Sequence, residues 1–146
     1  MATPELPAGG PEMTGPPPTP PGETAEELDF EIAFYEGILE QLPDSVDLLM
    51  ALGNDYTQRG LFEKGLAVDQ RLCQLRARDP IVHYNLACSY SLLGRIDEAL
   101  QALEQAIAYG YSDFRYVQHD PDLENLRRDP RYASLLEGAL RGKPAS

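Results

Sequence analysis

Apolar residues recur every three or four positions along most of the chain, and polar residues occupy the intervening faces, which is the spacing of amphipathic helices. Leu28, Ile32, Tyr35, Ile38, Leu39 and Leu42 form the first such stripe and predict a helix over 24–42. Thr24 and Glu27 have the form of a capping box at its start, and Pro43 stops it. Asp44 is placed to cap a second helix over 45–59, with Asp47 in its first turn, where a helix dipole favours a carboxylate. Gly60 ends that helix in the left-handed conformation, and a partner follows over 62–76. Asp79-Pro80 restarts the chain as cap and first helical residue, giving helices over 80–93 and 96–109, with Gly94 between them and Gly110 closing the second. Asp120-Pro121 and Asp129-Pro130 repeat the cap-and-proline pattern and predict two shorter helices over 122–128 and 131–140.

The stripes repeat as well as recur. A shift of 34 residues sets Leu52 on Leu86, Gly53 on Ala87, Tyr56 on Tyr90, Gly60 on Gly94, Phe62 on Ile96, Gly65 on Ala99 and Leu66 on Leu100. The same shift carries Leu28, Ile32, Ile38 and Leu39 onto Phe62, Leu66, Leu72 and Cys73, so the first helix reads as the second half of a unit without its first half. A fixed period of this length indicates stacked helical units, whose work is to bind another protein. Segment 1–23 is crowded with Pro and Gly and is read as a disordered tail. The expected organisation is thus a tail over 1–23, a half repeat over 24–45, full repeats over 46–79 and 80–113, a helical cap over 114–141 that shields the apolar end of the stack, and a short tail over 142–146.

Charge narrows the partners. The net charge is −12, and twelve carboxylates precede the first basic residue, Arg59; the other twelve acids are balanced by the twelve Lys and Arg. So acidic a front half repels nucleic acid phosphates and anionic membrane surfaces, and its plainest reading is a solvated face. No apolar run reaches the ~18 residues of a membrane span, and the first residues lack the basic start and apolar core of a secretory signal. Two cysteines, Cys73 and Cys88, without a CxxC motif fit free thiols in the cytoplasm.

Small residues at Gly53, Gly65, Ala87 and Ala99 let paired helices approach, while Leu52, Tyr56, Leu86 and Tyr90 fill the space between units. In the chain these positions read LGNDYTQRGLFEKGL and LACSYSLLGRIDEAL. Both strings resemble the tetratricopeptide repeat over about 29–113, and the closing VQHDPDLENLRRDPRYASLL looks like the end-of-group segment that follows such repeats in small bacterial proteins. The resemblance implies an all-α, right-handed superhelix of antiparallel helix pairs. There are departures: Leu49 and His83 stand where the family usually has a larger residue such as Trp, and Asp69 stands where it usually has an aromatic. A buried, unpaired Asp69 would cost several kcal/mol, so it must be exposed or paired.

In this family the first helices of successive units line a concave groove that holds a peptide or a partner's helix. Carried onto this chain, the resemblance implies Asp47, Met50, Ala51, Asn54 and Gln58 from one unit, and Ile81, Tyr84, Asn85, Cys88, Ser91 and Leu92 from the next. Asn54 and Asn85 are suited to pairing with a bound backbone, because an amide both donates and accepts. Met50 and Tyr84 offer adaptable apolar contact. No Lys or Arg lies in this set, which argues against the family's carboxylate-gripping subclass and for an apolar, amide-rich or weakly basic segment.

Catalysis finds little support. Gly60–Gly65 begins like a phosphate loop, but Leu66 follows where Lys is needed. His119, Asp120, Asp122 and Glu124 imitate a metal site, although Asp120 is better explained as a helix cap. His83 is far along the chain from Cys73 and reads as a poor base for it. No cofactor, metal or catalytic set is expected. The expected function is a non-enzymatic adaptor or scaffold that binds a protein partner, monomeric or weakly dimeric; the alternative is a secretion-type chaperone or assembly subunit that dimerises through its acidic first helix.

Overall fold

The computed structural model describes residues 24–142, so the readings for 1–23 and 143–146 lie outside the described residues. Among the described residues eight α-helices follow one another: α1 (Ala25–Gln41), α2 (Val46–Arg59), α3 (Phe62–Leu75), α4 (Pro80–Leu92), α5 (Ile96–Ala108), α6 (Phe114–Val117), α7 (Glu124–Arg127) and α8 (Pro130–Gly142). A 3-10 turn, Pro121–Leu123, leads into α7. Among the described residues there is no strand. From α1 to α5 each helix packs on the next, as stacking of one repeated unit requires, and α4 and α5 also carry the cap helices. The fold is an all-α helical repeat.

The local signals explain most boundaries. The capping box forms in full: the Glu27 amide donates to Thr24 Oγ1 at 3.1 Å, and the Thr24 amide donates to Glu27 Oε1 at 2.8 Å. Gly60, Gly94 and Gly110 have φ of 83°, 76° and 115°, the left-handed region in which a side chain is strained. One cap differs from expectation. Ser45, not Asp44, closes the start of α2 by accepting from the Leu48 amide at 3.3 Å. Asp44 turns outward and pairs with the Arg71 guanidinium of α3, an attraction that a residue one step outside the helix can satisfy. The helix α6 was not foreseen, since its four residues are too few to show a periodicity.

Two apolar cores result. Ile32, Leu49, Leu52, Tyr56, Leu72 and Val82 belong to the first, which joins α1 to the start of α4. Ala87, Ala99, Leu103, Ala106, Leu123 and Leu126 belong to the second, which joins α4 and α5 to the cap. Between α3 and α4 lies a buried polar pair: Ser89 Oγ donates to Asp69 Oδ2 at 2.5 Å. Asp69 is therefore both buried and paired, which satisfies the requirement set by its position.

The two crossing glycines of the first repeat are not equivalent. A Cβ on Gly53 would lie 3.3 Å from Val68 Cγ1, tighter than ordinary contact, whereas one on Gly65 would meet nothing nearer than Thr57 Oγ1 at 3.6 Å. Gly65→Ala is thus expected to stabilise the chain by about 0.5–1 kcal/mol, the gain in helix propensity over glycine. Gly53→Ala should gain less or lose, because Val68 must shift. Urea unfolding of the two variants compares them directly, and equal effects would show that the crossing does not discriminate.

Candidate functional site

The inner faces of α2 and α4 diverge to leave a cavity of about 340 Å³. Asp79, accepting from the Ile81 amide at 2.9 Å, fixes the start of α4, and the 3.6-residue turn then sets Ile81, Tyr84, Asn85 and Cys88 on one face. Met50 and Asn54 face them from α2. With Leu92, seven of the eleven groove residues implied by the resemblance therefore line one hollow. Asp47, Ala51, Gln58 and Ser91 do not. Gln58 is exposed and lies beyond the rim. Ser91 is wholly buried under the cap: its Oγ accepts from the Leu126 amide at 3.2 Å, and its carbonyl accepts from Asn125 Nδ2 at 2.9 Å. The cap closes this end of the groove, so a residue on the right helix face is spent on holding it.

The turn after α5 and the cap together supply a wall that no helical periodicity signalled. Tyr111 stacks on Tyr84 with ring centroids 4.4 Å apart and planes 3° from parallel, and Tyr116 leans over Tyr84 at 6.2 Å. Asp120 caps the 3-10 turn through Oδ1, which accepts from the Asp122 amide at 3.0 Å. Its other oxygen accepts from the Tyr84 hydroxyl at 2.5 Å and lies 3.7 Å from Cys88 Sγ. The helix-cap reading of Asp120 was sound but incomplete, because a carboxylate has two oxygens and only one is needed for the cap. Asp69 and Leu72 of α3 complete the lining, with Asp122 at the rim.

The electrostatics are one-sided. Asp69, Asp120 and Asp122 border the cavity and no Lys or Arg does. Burial pushes the Asp69 carboxyl up to about 6, against the opposing effect of the Ser89 hydroxyl. Burial, with Asp120 beside it, also raises Asp122. Burial and the same Asp120 hold the Cys88 thiol well above its ordinary value, so it stays protonated. The hollow is thus an aromatic and acidic recess with inert sulfur. A wider hollow of about 520 Å³ between α5 and α8 is a poorer candidate, since its Arg131 is already paired with Asp97 at 2.8 Å and Asp129 at 3.0 Å.

Cys73 and His83 are closer than their sequence separation implied. The turn between α3 and α4 folds back, bringing Cys73 Sγ to 3.9 Å from His83 Nδ1, while His83 Nε2 lies 2.7 Å from the Ala77 carbonyl oxygen and donates to it. Burial and the nearby Asp69 nevertheless push the Cys73 thiol up to about 11, so a thiolate is disfavoured at neutral pH. Among the described residues there is no group of three or more His, Cys, Asp or Glu able to hold a metal ion. No described helix is long and apolar enough to cross a membrane.

Comparison with known proteins agrees with the helical-repeat fold. The family described as Tetratricopeptide repeat matches residues 80–111, which are α4, α5 and the turn after them. Over 91 residues the chain is 34% identical to a protein of Arabidopsis thaliana whose name describes it as chloroplastic. That similarity covers 58% of this chain and 26% of the relative, so the two share a segment and not a whole architecture. Repeats of this family are in general protein-interaction folds. The match lies inside a stack built on the same 34-residue period, so the segment formed by α4 and α5 is similar to a tetratricopeptide repeat.

Proposed function

We propose that this chain is a non-enzymatic adaptor that holds an extended segment or helix of a partner protein in the hollow between α2 and α4. The observation that carries the reading is the convergence of Met50, Asn54, Ile81, Tyr84, Asn85 and Cys88 on one cavity walled by Tyr111 and Tyr116. A lining with three carboxylates and no cation favours a partner that brings a Lys or Arg side chain, which the acids attract and the exposed Tyr116 ring can flank. Asn54 and Asn85 would then pair with the partner's backbone amides and carbonyls. Burial holds the Cys73 and Cys88 thiols protonated, which supports an interaction role over thiol catalysis.

The double variant Asn54→Ala/Asn85→Ala is expected to weaken partner capture about tenfold, roughly the loss of one or two net hydrogen bonds. Mass spectrometry of proteins co-purified with the wild type and the variant measures this. Capture unchanged by the double variant would move binding off the groove. A cytoplasmic site of action is part of the proposal and is supported by the two free cysteines. The relative's name places that protein in the chloroplast, and imaging of a fluorescent fusion separates the two compartments. The assembly-subunit reading is favoured by one separate observation, the exposed aromatic residues of α1.

A further inference from the structure

The repeat register sets the residues of α1 against their counterparts in α3 and α5. Shifting by 34 sets Phe34 on Val68 and Ala102, and Glu31 on Gly65 and Ala99. Those later positions face the first helix of their own repeat and are covered by it: Val68 is 8% exposed and Ala102 is 4% exposed. Phe34 is 56% exposed and Phe30, one turn earlier, is 75% exposed. The face that α3 and α5 bury against a first helix meets no such helix among the described residues at α1.

The residues on that face are also of the wrong kind for an ordinary covering helix. Where α3 and α5 have Gly or Ala, α1 has Glu31, and the stripe through Glu27, Phe30, Glu31, Phe34 and Gly37 alternates acid with apolar surface. A Cβ on Gly37 would meet nothing within 4 Å, so a side chain from outside has room to enter there. On the flank toward α2 and α3 the acids are already paired, Asp29 with Arg59 at 2.8 Å and Glu36 with Lys64 at 3.9 Å, so the charge offered on the stripe itself is that of Glu27 and Glu31. A second copy of this chain would bring the same acids to the same face; in an antiparallel pairing that sets Phe30 over Gly37, Glu27 falls opposite Glu40.

We infer that the outer face of α1 is a second docking surface, distinct from the groove, for an amphipathic helix of a partner protein that carries Lys or Arg beside its apolar stripe. The two phenylalanines supply the buried anchor, and Glu27 and Glu31 select the basic flank. Gly37 sets the depth of approach.

The test uses the full chain and two fluorescein-labelled synthetic helical peptides with the same Leu/Ala stripe, one flanked by Lys and one by Glu. Fluorescence anisotropy is expected to show binding of the Lys peptide, weakened at least tenfold by Phe30→Ser/Phe34→Ser and unaffected by Tyr116→Ala in the groove. Circular dichroism of the exposed double variant should match the wild type, which keeps a lost signal from being a folding defect. Equal binding of the Glu peptide, no binding of the Lys peptide, or binding lost through Tyr116→Ala and kept in the double variant would each overturn the inference. So would sedimentation of the wild type alone as a dimer that Phe30→Ser/Phe34→Ser converts to monomer, since the occupant would then be a second copy. Loss of Asn54 and Asn85 function tests the groove separately, so either surface can fail alone.

Discussion

Replacing Asp69 by asparagine is expected to stabilise the protein at pH 7, although it alters a buried residue with a made hydrogen bond. The carboxyl is held at about 6 by burial, against an ordinary value of 3.8. The fold therefore prefers the neutral form. The stability Asp69 contributes is fully present below pH 3.8 and is lost as pH rises through 6, a change of about 3 kcal/mol in all. An asparagine carbonyl can accept the Ser89 hydroxyl in the same way, and its amide adds no charge to be desolvated. The variant should thus be more stable than the wild type by about 1–3 kcal/mol at pH 7, with the advantage gone near pH 4. Urea unfolding across that range measures it, and an advantage that persists at pH 4 would refute the electrostatic cause. If the proposed groove takes a basic partner, the same variant should weaken its capture, because it removes one of three groove carboxylates.

Leu126→Ala should be the most damaging single truncation outside the first core. Leu126 is fully buried in α7, and its amide donates to Ser91 Oγ, so the cap is seated on α4 through both apolar and polar contact. Removing the side chain is expected to cost about 2–5 kcal/mol, a large part of the roughly 5–15 kcal/mol that typically holds a domain together. Because each helix leans mainly on its neighbours, the damage should be graded along the stack. Hydrogen exchange is expected to show α4, α5 and the cap losing protection first while α1 and α2, joined by Tyr56 to Glu36 and by Arg59 to Asp29, lose it least. Uniform loss from α1 to α8 would mean that the two cores unfold as one.

What could be read from the chain follows the range of each signal. Helices α1 to α5 were legible because their apolar period, their Thr24, Asp79 and glycine punctuation, and the 34-residue recurrence all act within one or two turns. The half of the groove that lies on α2 and α4 was legible for the same reason. Ser91 misled, since a helix face gives direction but not what comes to cover it. Cys73 and His83 misled in the opposite sense, because a turn of four residues brings together side chains that a linear distance separates.

The sequence alone determined the helical repeat, its register and the acidic front half, because spacing and bulk along a rod are local quantities. Only the tertiary structure decided that Tyr111, Tyr116 and Asp120 wall the groove, that Asp69 lies buried against Ser89, and that Phe30 and Phe34 stand open on α1. These depend on which surfaces meet across the stack, and the free energy that fixes such meetings comes from removing water between segments far apart in the chain, where periodicity carries no information.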